Sequence, residues 1–171
     1  MATPVPHTTN KEPEHLPLYG PGPVYVFTIV ALTAAGIALS AAGFAPTADA
    51  GAARLPLMAL GAALVAGGVA LWVAAVKGAR IDDGILENRL VTQGAYAIVR
   101  NPIYSAFMLA CTGALLICGN LWLLALPPVF WAFLTMLMKA TEERWLRERY
   151  GREYERYCAR VNRCIPWFPQ G

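Results

Sequence analysis

The sequence predicts an all-α integral membrane protein with four transmembrane helices, the last two forming a helical hairpin, followed by a C-terminal cytoplasmic helix. The chain of 171 residues is 57% hydrophobic and only 15% charged, which is too apolar for an ordinary soluble domain. Its apolar residues fall into runs of about bilayer length. Its basic residues collect in some of the links between these runs and not in others, as is typical of membrane proteins.

The N-terminal half is predicted to be a tail followed by two membrane spans. Residues 1–23 are rich in proline and polar residues, which favours a flexible tail. Residues 24–44 and 56–76 each supply the roughly 20 apolar residues that a bilayer requires. The second span contains small residues that permit close helix approach, and we expect this packing to occur within one molecule. These small residues include Gly61, Gly67 and Gly68.

The predicted hairpin consists of residues 103–118 and 121–138. Gly119 and Asn120 form a tight turn between them, so the two helices are expected to be antiparallel neighbours. The first of the two is short for a membrane span. Pro127-Pro128 interrupts the second and predicts a kink.

Residues 139–161 are predicted to form one long charged helix on the membrane surface. Glu143 with Arg147, and Glu148 with Arg152, have the i,i+4 spacing of helical ion pairs. Gly151 is expected to loosen the middle of this helix. Residues 165–169 read as an aromatic anchor at the membrane interface. The whole of residues 77–171, hairpin included, is therefore interpreted as one functional region behind the first two spans.

Basic residues predict the orientation of the chain. The link between the first two spans has only Arg54, and the turn of the hairpin has no charge. The central link and the C-terminal segment hold the other basic residues of the membrane-proximal chain, including Lys77, Arg100 and Lys139. The positive-inside rule places both termini and the central link in the cytoplasm.

A polar and aromatic segment, residues 90–104, stands between the apolar runs. Polar backbone is costly at membrane depth unless protein, a cavity or the interface satisfies it. A second charged group begins where the fourth span ends, with Lys139, Glu142, Glu143 and Arg144. Because the hairpin is antiparallel, we expect Tyr104 and Glu142 to lie close together. Such an ionisable cluster indicates a functional site, although charges at helix ends also bind lipid headgroups.

Residues 86–166 contain an ordered set of short motifs that extends over about half of the chain. In order, these are Leu90-Val91-Thr92, Gly94-Ala95-Tyr96, Arg100-Asn101-Pro102-Ile103-Tyr104, Glu142-Glu143, Tyr150-Gly151-Arg152-Glu153-Tyr154, Arg160-Val161 and Ile165-Pro166. With these motifs the chain resembles the superfamily of isoprenylcysteine carboxyl methyltransferases and phospholipid N-methyltransferases, as a bacterial-type member, which implies a bacterial inner membrane protein.

The resemblance implies an enzyme that uses S-adenosyl-L-methionine, bound at the cytoplasmic face, to methylate a lipid or prenylated substrate from the bilayer. The implied cofactor-binding residues are Asn88, Arg89, Leu90, Val91, Tyr96, Asn101, Pro102, Ile103, Tyr104 and Glu142. Pro102 suits a first helical turn, whose free N–H groups favour a carboxylate, and Arg100 would add a charge-assisted bond to that carboxylate.

Two positions depart from the family pattern. Asn101 stands where a histidine is frequent, and an asparagine cannot titrate, which disfavours a general base there. Met138 stands where carboxyl methyltransferases carry a substrate-binding arginine. We therefore assign Lys139 and Arg144 as candidate substrate-binding residues, and Glu143 and Arg144 as candidate catalytic residues, with Glu143 the proton acceptor if the nucleophile is an amine.

Other functions remain open at this point. Phospholipid N-methylation is the first alternative to carboxyl methylation. A sterol-reductase-like enzyme that binds NADPH and a non-enzymatic membrane protein are the others. Nucleic-acid binding is disfavoured because the C-terminal arginines alternate with glutamates. The four cysteines lack CxxC spacing, which disfavours a metal site, and the sequence does not determine the oligomeric state.

Overall fold

The described part of the chain consists of helices joined by short irregular segments, as predicted. The computed structural model describes residues 22–78 and 90–166. The six α-helices there are α1 (Gly22–Ala41), α2 (Arg54–Gly78), α3 (Pro102–Cys118), α4 (Leu126–Ala140), α5 (Glu142–Tyr150) and α6 (Arg152–Arg160), with short 3₁₀ helices at Gly51–Ala53, Gly94–Ala97 and Leu121–Ala125. Most of the predicted tail, Asn88, Arg89 and the end of the predicted anchor lie outside the described residues.

Within the described residues, three helical stretches are long and apolar enough to cross a membrane. They are Gly22–Ala41, Gly51–Lys77 and Leu121–Tyr150, with mean hydropathies of 2.1, 2.2 and 1.9. The apolar part of the last stretch ends with α4, and the charged helix α5 follows it. The third predicted span, α3, has 17 residues and is therefore about 25 Å long, shorter than the roughly 30 Å hydrocarbon core. The chain is thus a multi-pass membrane protein with one short apolar helix.

The short helix α3 lies at the centre of the molecule and is its most buried apolar helix. It packs against α1, α2 and α4. Its contact with α2 is very close, since a Cβ atom on Gly61 would stand 2.6 Å from the carbonyl oxygen of Gly113, and one on Gly68 would stand 2.7 Å from that of Ala106. The expected packing within one molecule is therefore present. It depends on Gly61 and Gly68, whereas Gly67 faces open space.

The paired prolines stand at the start of the α-helical part of the fourth span. Pro127 and Pro128 occupy the first turn of α4, after the 3₁₀ segment Leu121–Ala125. The first N–H groups of a helix have no intrahelical acceptor, so a proline costs no hydrogen bond there. The prolines therefore mark the point at which the span changes from a 3₁₀ segment to an α-helix, as the predicted interruption requires, and the kink itself stays a prediction.

The predicted C-terminal helix is divided into two by Gly151. This glycine has φ 49° and ψ −122°, which no helix contains, so α5 ends before it and α6 begins after it. Thr141, with φ −123° and ψ −90°, separates α4 from α5 in the same way. The two breaks turn the side chains of α5 and α6 toward the start of α3, and the prediction of one continuous surface helix is wrong.

At the far end of α3, Asn120 joins three separate parts of the chain. Its Oδ1 accepts from the backbone N–H groups of Ala48 and Trp122, at 3.2 and 3.1 Å. Its Nδ2 donates to Ser40 Oγ and to the carbonyl oxygen of Pro46, at 2.9 and 3.0 Å. We call these five residues the turn network. It fastens the link between α1 and α2 to the turn between α3 and α4.

Candidate active site

The polar segment before α3 is held against α6. Its 3₁₀ turn, Gly94–Ala97, begins at a glycine with φ 61°, a conformation that strongly favours glycine. Ala95 and Val99 are buried, and the Tyr157 hydroxyl donates to the carbonyl oxygen of Tyr96 at 2.7 Å. The apolar contacts and this hydrogen bond fix the position of Tyr96 near the first turn of α3.

Tyr104 and Glu142 meet as the antiparallel hairpin predicted. The Tyr104 hydroxyl donates to Glu142 Oε1 at 3.2 Å. Burial raises the pKa of the Glu142 carboxyl above its ordinary value, although the hydrogen bond from Tyr104 opposes the shift. Burial, and after it the charge of Glu142, raises the pKa of Tyr96, which places Tyr96 within electrostatic reach of the same carboxylate.

The N-terminal end of α1 closes one side of this pair. The ring of Tyr25 makes an edge contact with the ring of Tyr104, at 6.1 Å between centroids. Gly22 lies so close to the phenol of Tyr104 that a Cβ atom there would come within 2.0 Å of the hydroxyl oxygen. Tyr104 is therefore held in place from both sides, by α1 and by Glu142.

The first turn of α3 is left without a side-chain cap. Asn101 occupies the N-cap position but makes no capping hydrogen bond, and Pro102 follows at the start of the helix. The Asn101 amide donates instead to the carbonyl oxygen of Arg163 at 3.0 Å. Because the first N–H groups of a helix lack intrahelical acceptors, those of Ile103 and Tyr104 remain available to an anionic group.

Next to this turn lies an ion cluster of Arg100, Glu143 and Arg163. Arg100 Nη1 stands 3.1 Å from Glu143 Oε1. Arg163 binds both carboxylate oxygens, with Nε donating to Oε1 and Nη2 donating to Oε2 at 2.9 Å. Burial alone would raise the pKa of Glu143, but the hydrogen bonds from Arg163 and the charge of Arg100 outweigh it and hold the pKa below its ordinary value. Glu143 is thus held as a charged carboxylate by the two arginines and has little tendency to take up a proton.

Two buried polar atoms beside this turn have no hydrogen-bond partner in the described structure, Arg100 Nε and Ser105 Oγ. The Arg100 side chain is only 9% exposed, and buried polar groups of native proteins are normally paired. Both atoms lie at the start of α3, where an additional polar ligand would supply the missing hydrogen bonds. Sequence reasoning assigned no role to Ser105 or to Arg163.

The remaining predicted residues fall into two groups. Leu90, Val91 and Ile103 are half-buried within the described segment around the site. Lys139 and Arg144 are exposed, and Arg144 pairs with Glu148 at 3.2 Å. Met138, which stands where the resemblance expects an arginine, is fully buried in the apolar core. Position 138 therefore carries no charged group that could replace that arginine.

Comparison with known proteins identifies the family of the chain. A family model described as phospholipid methyltransferase matches residues 55–153, which is more than half of the chain and covers α2 to the start of α6. The chain belongs to the phospholipid methyltransferase family. The family prediction is confirmed. Residues 154–166, which include Arg163, lie beyond the part of this family member that the family model covers.

The curated relatives of this family member are named as isoprenylcysteine methyltransferases. The chain is 34% identical over 82 residues to a probable protein-S-isoprenylcysteine O-methyltransferase of Oryza sativa, covering 47% of the chain and 42% of the relative. It is 36% identical over 84 residues to protein-S-isoprenylcysteine O-methyltransferase of Schizosaccharomyces pombe, covering 48% and 35%. The chain thus matches less than half the length of these relatives. No solved structure matches it significantly.

Proposed function

We propose that this family member is an S-adenosyl-L-methionine-dependent methyltransferase that acts on a lipophilic substrate held in the membrane. One observation carries the proposal. Tyr96, Tyr104 and Glu142 surround the uncapped first turn of α3, beside the unpartnered Nε of Arg100. This set combines a carboxylate, two aromatic rings and free donors within one buried corner of the structure.

The residues present suit the chemical groups of S-adenosyl-L-methionine. The first turn of α3 and Arg100 offer donors to its carboxylate. Glu142 offers an acceptor to its ammonium group or to a ribose hydroxyl. Tyr96 and Tyr104 offer aromatic faces to its adenine or its sulfonium. The cofactor supplies an electrophilic methyl group, so that alignment and exclusion of water are the main tasks of the protein.

A groove between α2 and α3 supports a lipophilic methyl acceptor. It has a volume of about 150 Å³, and the described residues that line it are apolar or glycine, namely Gly68, Val69, Trp72, Ala106, Phe107 and Ala110. Phe107 follows Tyr104 by three positions, and residues at this spacing are neighbours on a helix surface. An apolar chain in the groove would therefore place its polar end about one helical turn from the candidate cofactor site.

The ion cluster favours a carboxylate acceptor over an amine. A carboxylate attacks a methyl group without losing a proton, whereas an ammonium group must first be deprotonated. Glu143, the expected proton acceptor, has a lowered pKa and is bound by two arginines. Methylation at an oxygen, which the names of the relatives state, thus needs no proton acceptor, but the arginine that would hold a substrate carboxylate is replaced by Met138.

Phospholipid amine methylation is the second candidate. It is favoured by the raised pKa of Glu142, which makes this carboxyl a better proton acceptor than Glu143. Methyl-labelled cofactor, incubated with the protein and either lipid extract or a prenylated cysteine, separates the two by the chemical stability of the product. A methyl ester is released by mild base, and an N-methyl group is not.

Cofactor binding by the purified protein tests the proposal itself. We expect S-adenosyl-L-methionine to bind, and Glu142→Gln and Tyr104→Ala each to weaken binding by about tenfold, because the first removes a charged acceptor and the second an aromatic face. Glu148→Gln is the matched control, because this glutamate is exposed and pairs only with exposed Arg144 among the described residues. Binding of NADPH but not of S-adenosyl-L-methionine would overturn the assignment.

We also propose that the site faces the cytoplasm of a bacterial cell. Lys77 at the end of α2, Arg100 before α3 and Lys139 at the end of α4 lie on the side of the bundle that carries the candidate site. The positive-inside rule assigns that side to the cytoplasm. A cysteine introduced next to Arg54, at the opposite end of α2, is expected to react with an impermeant reagent added outside the inner membrane.

A further inference from the structure

The segment that follows α6 contacts both halves of the candidate active site at once. Asn162 accepts, through its carbonyl oxygen, a hydrogen bond of 2.8 Å from the backbone N–H of Arg100. The carbonyl oxygen of Arg163 accepts from the Asn101 amide at 3.0 Å. The side chain of Arg163 binds the carboxylate of Glu143. Two adjacent residues thus connect the turn before α3 with the start of α5.

These contacts are buried enough to be strong. Glu143 is 3% exposed as a residue, and the side chains of Arg100 and Arg163 are 9% and 20% exposed. Charge-assisted hydrogen bonds are about twice as strong as neutral ones, and a guanidinium matches both oxygens of a carboxylate. Arg163 therefore restrains the orientation of Glu143 as well as its position.

The restrained residues are direct neighbours of the groups proposed to bind the cofactor. Glu143 follows Glu142 in the chain, and Arg100 and Asn101 precede the first turn of α3 and Tyr104. Tyr104 and Glu142 are in turn hydrogen bonded to each other at 3.2 Å. A shift of either half of the ion cluster would move one side of this pair relative to the other.

We infer that Arg163 is a positioning residue of the cofactor site, which fixes the first turn of α3 and Glu142 in a mutual arrangement that binds S-adenosyl-L-methionine. The inference rests on the proposed function and extends it to a residue beyond the part of the chain that the family model matches. Arg163 acts through Glu143 and Asn101, and the contacts described for it reach neither Tyr104 nor Glu142.

The test compares Arg163→Met and Arg163→Lys with the wild type, in purified full-length protein in detergent micelles. Arg160→Met is the matched control, because Arg160 is exposed in the last turn of α6 and its loss removes the same charge. Lysine keeps the charge of Arg163 but cannot bind both carboxylate oxygens through a planar fork. We therefore expect the lysine variant to be intermediate.

Two readouts are taken at a temperature at which all variants remain folded. The first is hydrogen exchange of the amides of residues 100–105 without cofactor. We expect it to be at least tenfold faster in Arg163→Met, with Arg163→Lys between this variant and the wild type. The second is the Kd for S-adenosyl-L-methionine, expected to rise about tenfold or more in Arg163→Met and less in Arg163→Lys.

A purely structural role for Arg163 predicts a different result. Arg163→Met would then unfold at a lower temperature but would match Arg160→Met in both readouts, and the inference would be wrong. A wild-type protein that does not bind S-adenosyl-L-methionine would refute the proposed function instead. The exchange readout, taken without cofactor, would still decide whether Arg163 holds the turn before α3.

Discussion

The two ends of α3 are each fastened by one buried polar side chain, but one of these is neutral and the other is charged. Asn120, in the turn network, is 6% exposed, and Glu143, in the ion cluster, is 3% exposed. Both join segments that are far apart in the chain. Asn120 reaches back 72 residues to Ala48, and Glu143 is joined to Arg100 before α3 and to Arg163 after α6.

The difference between the two fastenings follows from what each end must do. The turn network pairs the neutral amide of Asn120 mainly with backbone groups. The hydrogen bonds of this amide hold the links between the helices together. The ion cluster places two guanidinium groups around one carboxylate, and burial of charges is costly. The ion cluster has more positive than negative charge. Next to a proposed binding site for an anionic group, this excess favours binding and gives a reason for the cost of burial.

The largest expected effect comes from breaking the ion cluster. Glu143→Gln leaves the buried Arg100 without its carboxylate, and removal of one member of a buried ion pair costs about 3–5 kcal/mol. Measurement of the free energy of unfolding in mixed micelles checks this value. Glu148→Gln, in an exposed pair, serves as the control and should cost less than about 1 kcal/mol. Equal losses in the two variants would show that the cluster does not stabilise the fold.

Acidification tests the same contrast without changing a residue. Since the pKa of Glu143 lies below its ordinary value of 4.5, the unfolded chain takes up this proton at a higher pH than the folded chain. The stability contributed by Glu143 is therefore full above the unfolded pKa and is lost as the pH falls through the folded pKa. Asn120 does not titrate, and the turn network contributes no such dependence.

We expect unfolding free energies measured from neutral pH down to about pH 3 to separate the two ends of α3. An Asn120→Ala variant should follow a curve parallel to that of the wild type, whereas Glu143→Gln should lose stability less steeply. Glu142, whose raised pKa has the opposite sign, is present in all three proteins and cancels in the comparison. Parallel curves for all three would contradict the assigned pKa shift.

Breaking the turn network should lower the free energy of unfolding less than breaking the ion cluster does. Asn120→Ala removes the partners of the Ala48 and Trp122 N–H groups and of the Pro46 carbonyl, and unsatisfied buried groups cost about 1–3 kcal/mol. A loss of about 2 kcal/mol in the free energy of unfolding is expected, because water reaches part of this loop. Asn162→Ala is the control, since the Asn162 side chain is exposed and its carbonyl hydrogen bond is retained.

The sequence predicted those features that depend on local pattern. Apolar run lengths predicted the helices, and the Gly119–Asn120 turn predicted the antiparallel hairpin and hence the contact of Tyr104 with Glu142. The long-range polar contacts could not be predicted in this way. Asn120 and Glu143 are ordinary turn and surface-helix residues in the sequence, and their partners are identified only when the helices are packed.

Arg163 shows the same limit for the candidate site. Its neighbours in the sequence belonged to the motifs that carried the family resemblance, but no periodicity links position 163 to position 143. The helical spacing of Glu143 and Arg147 suggested a local ion pair instead, and the structure gives Glu143 to Arg100 and Arg163. Glu143 can bind these two arginines because Thr141 and Gly151 interrupt the predicted helix.

The smallest expected effect concerns Gly119, whose counterpart near the candidate site is Gly151. Gly119 has φ 79° and ψ 7°, the usual left-handed end of a helix, where alanine costs about 1–2 kcal/mol. Gly151 has φ 49° and ψ −122°, a sparsely populated conformation in which strain costs of order 1–3 kcal/mol. A Cβ atom at Gly151 would meet no atom within 4 Å, and a Cβ atom at Gly119 would barely touch one. Both costs therefore come from the backbone conformation and not from a clash.

We expect Gly151→Ala to lower the free energy of unfolding by about 2 kcal/mol and Gly119→Ala by about 1 kcal/mol. The two variants should also differ in what they disturb. Gly151→Ala favours continuation of α5 into α6, which would rotate Tyr154 away from Arg100 and weaken cofactor binding. Gly119→Ala lies at the other end of α3 and should leave cofactor binding unchanged. If both variants reduced cofactor affinity equally, the two ends of α3 would not be independent, and the separation of a neutral fastening from a charged, site-forming one would have to be abandoned.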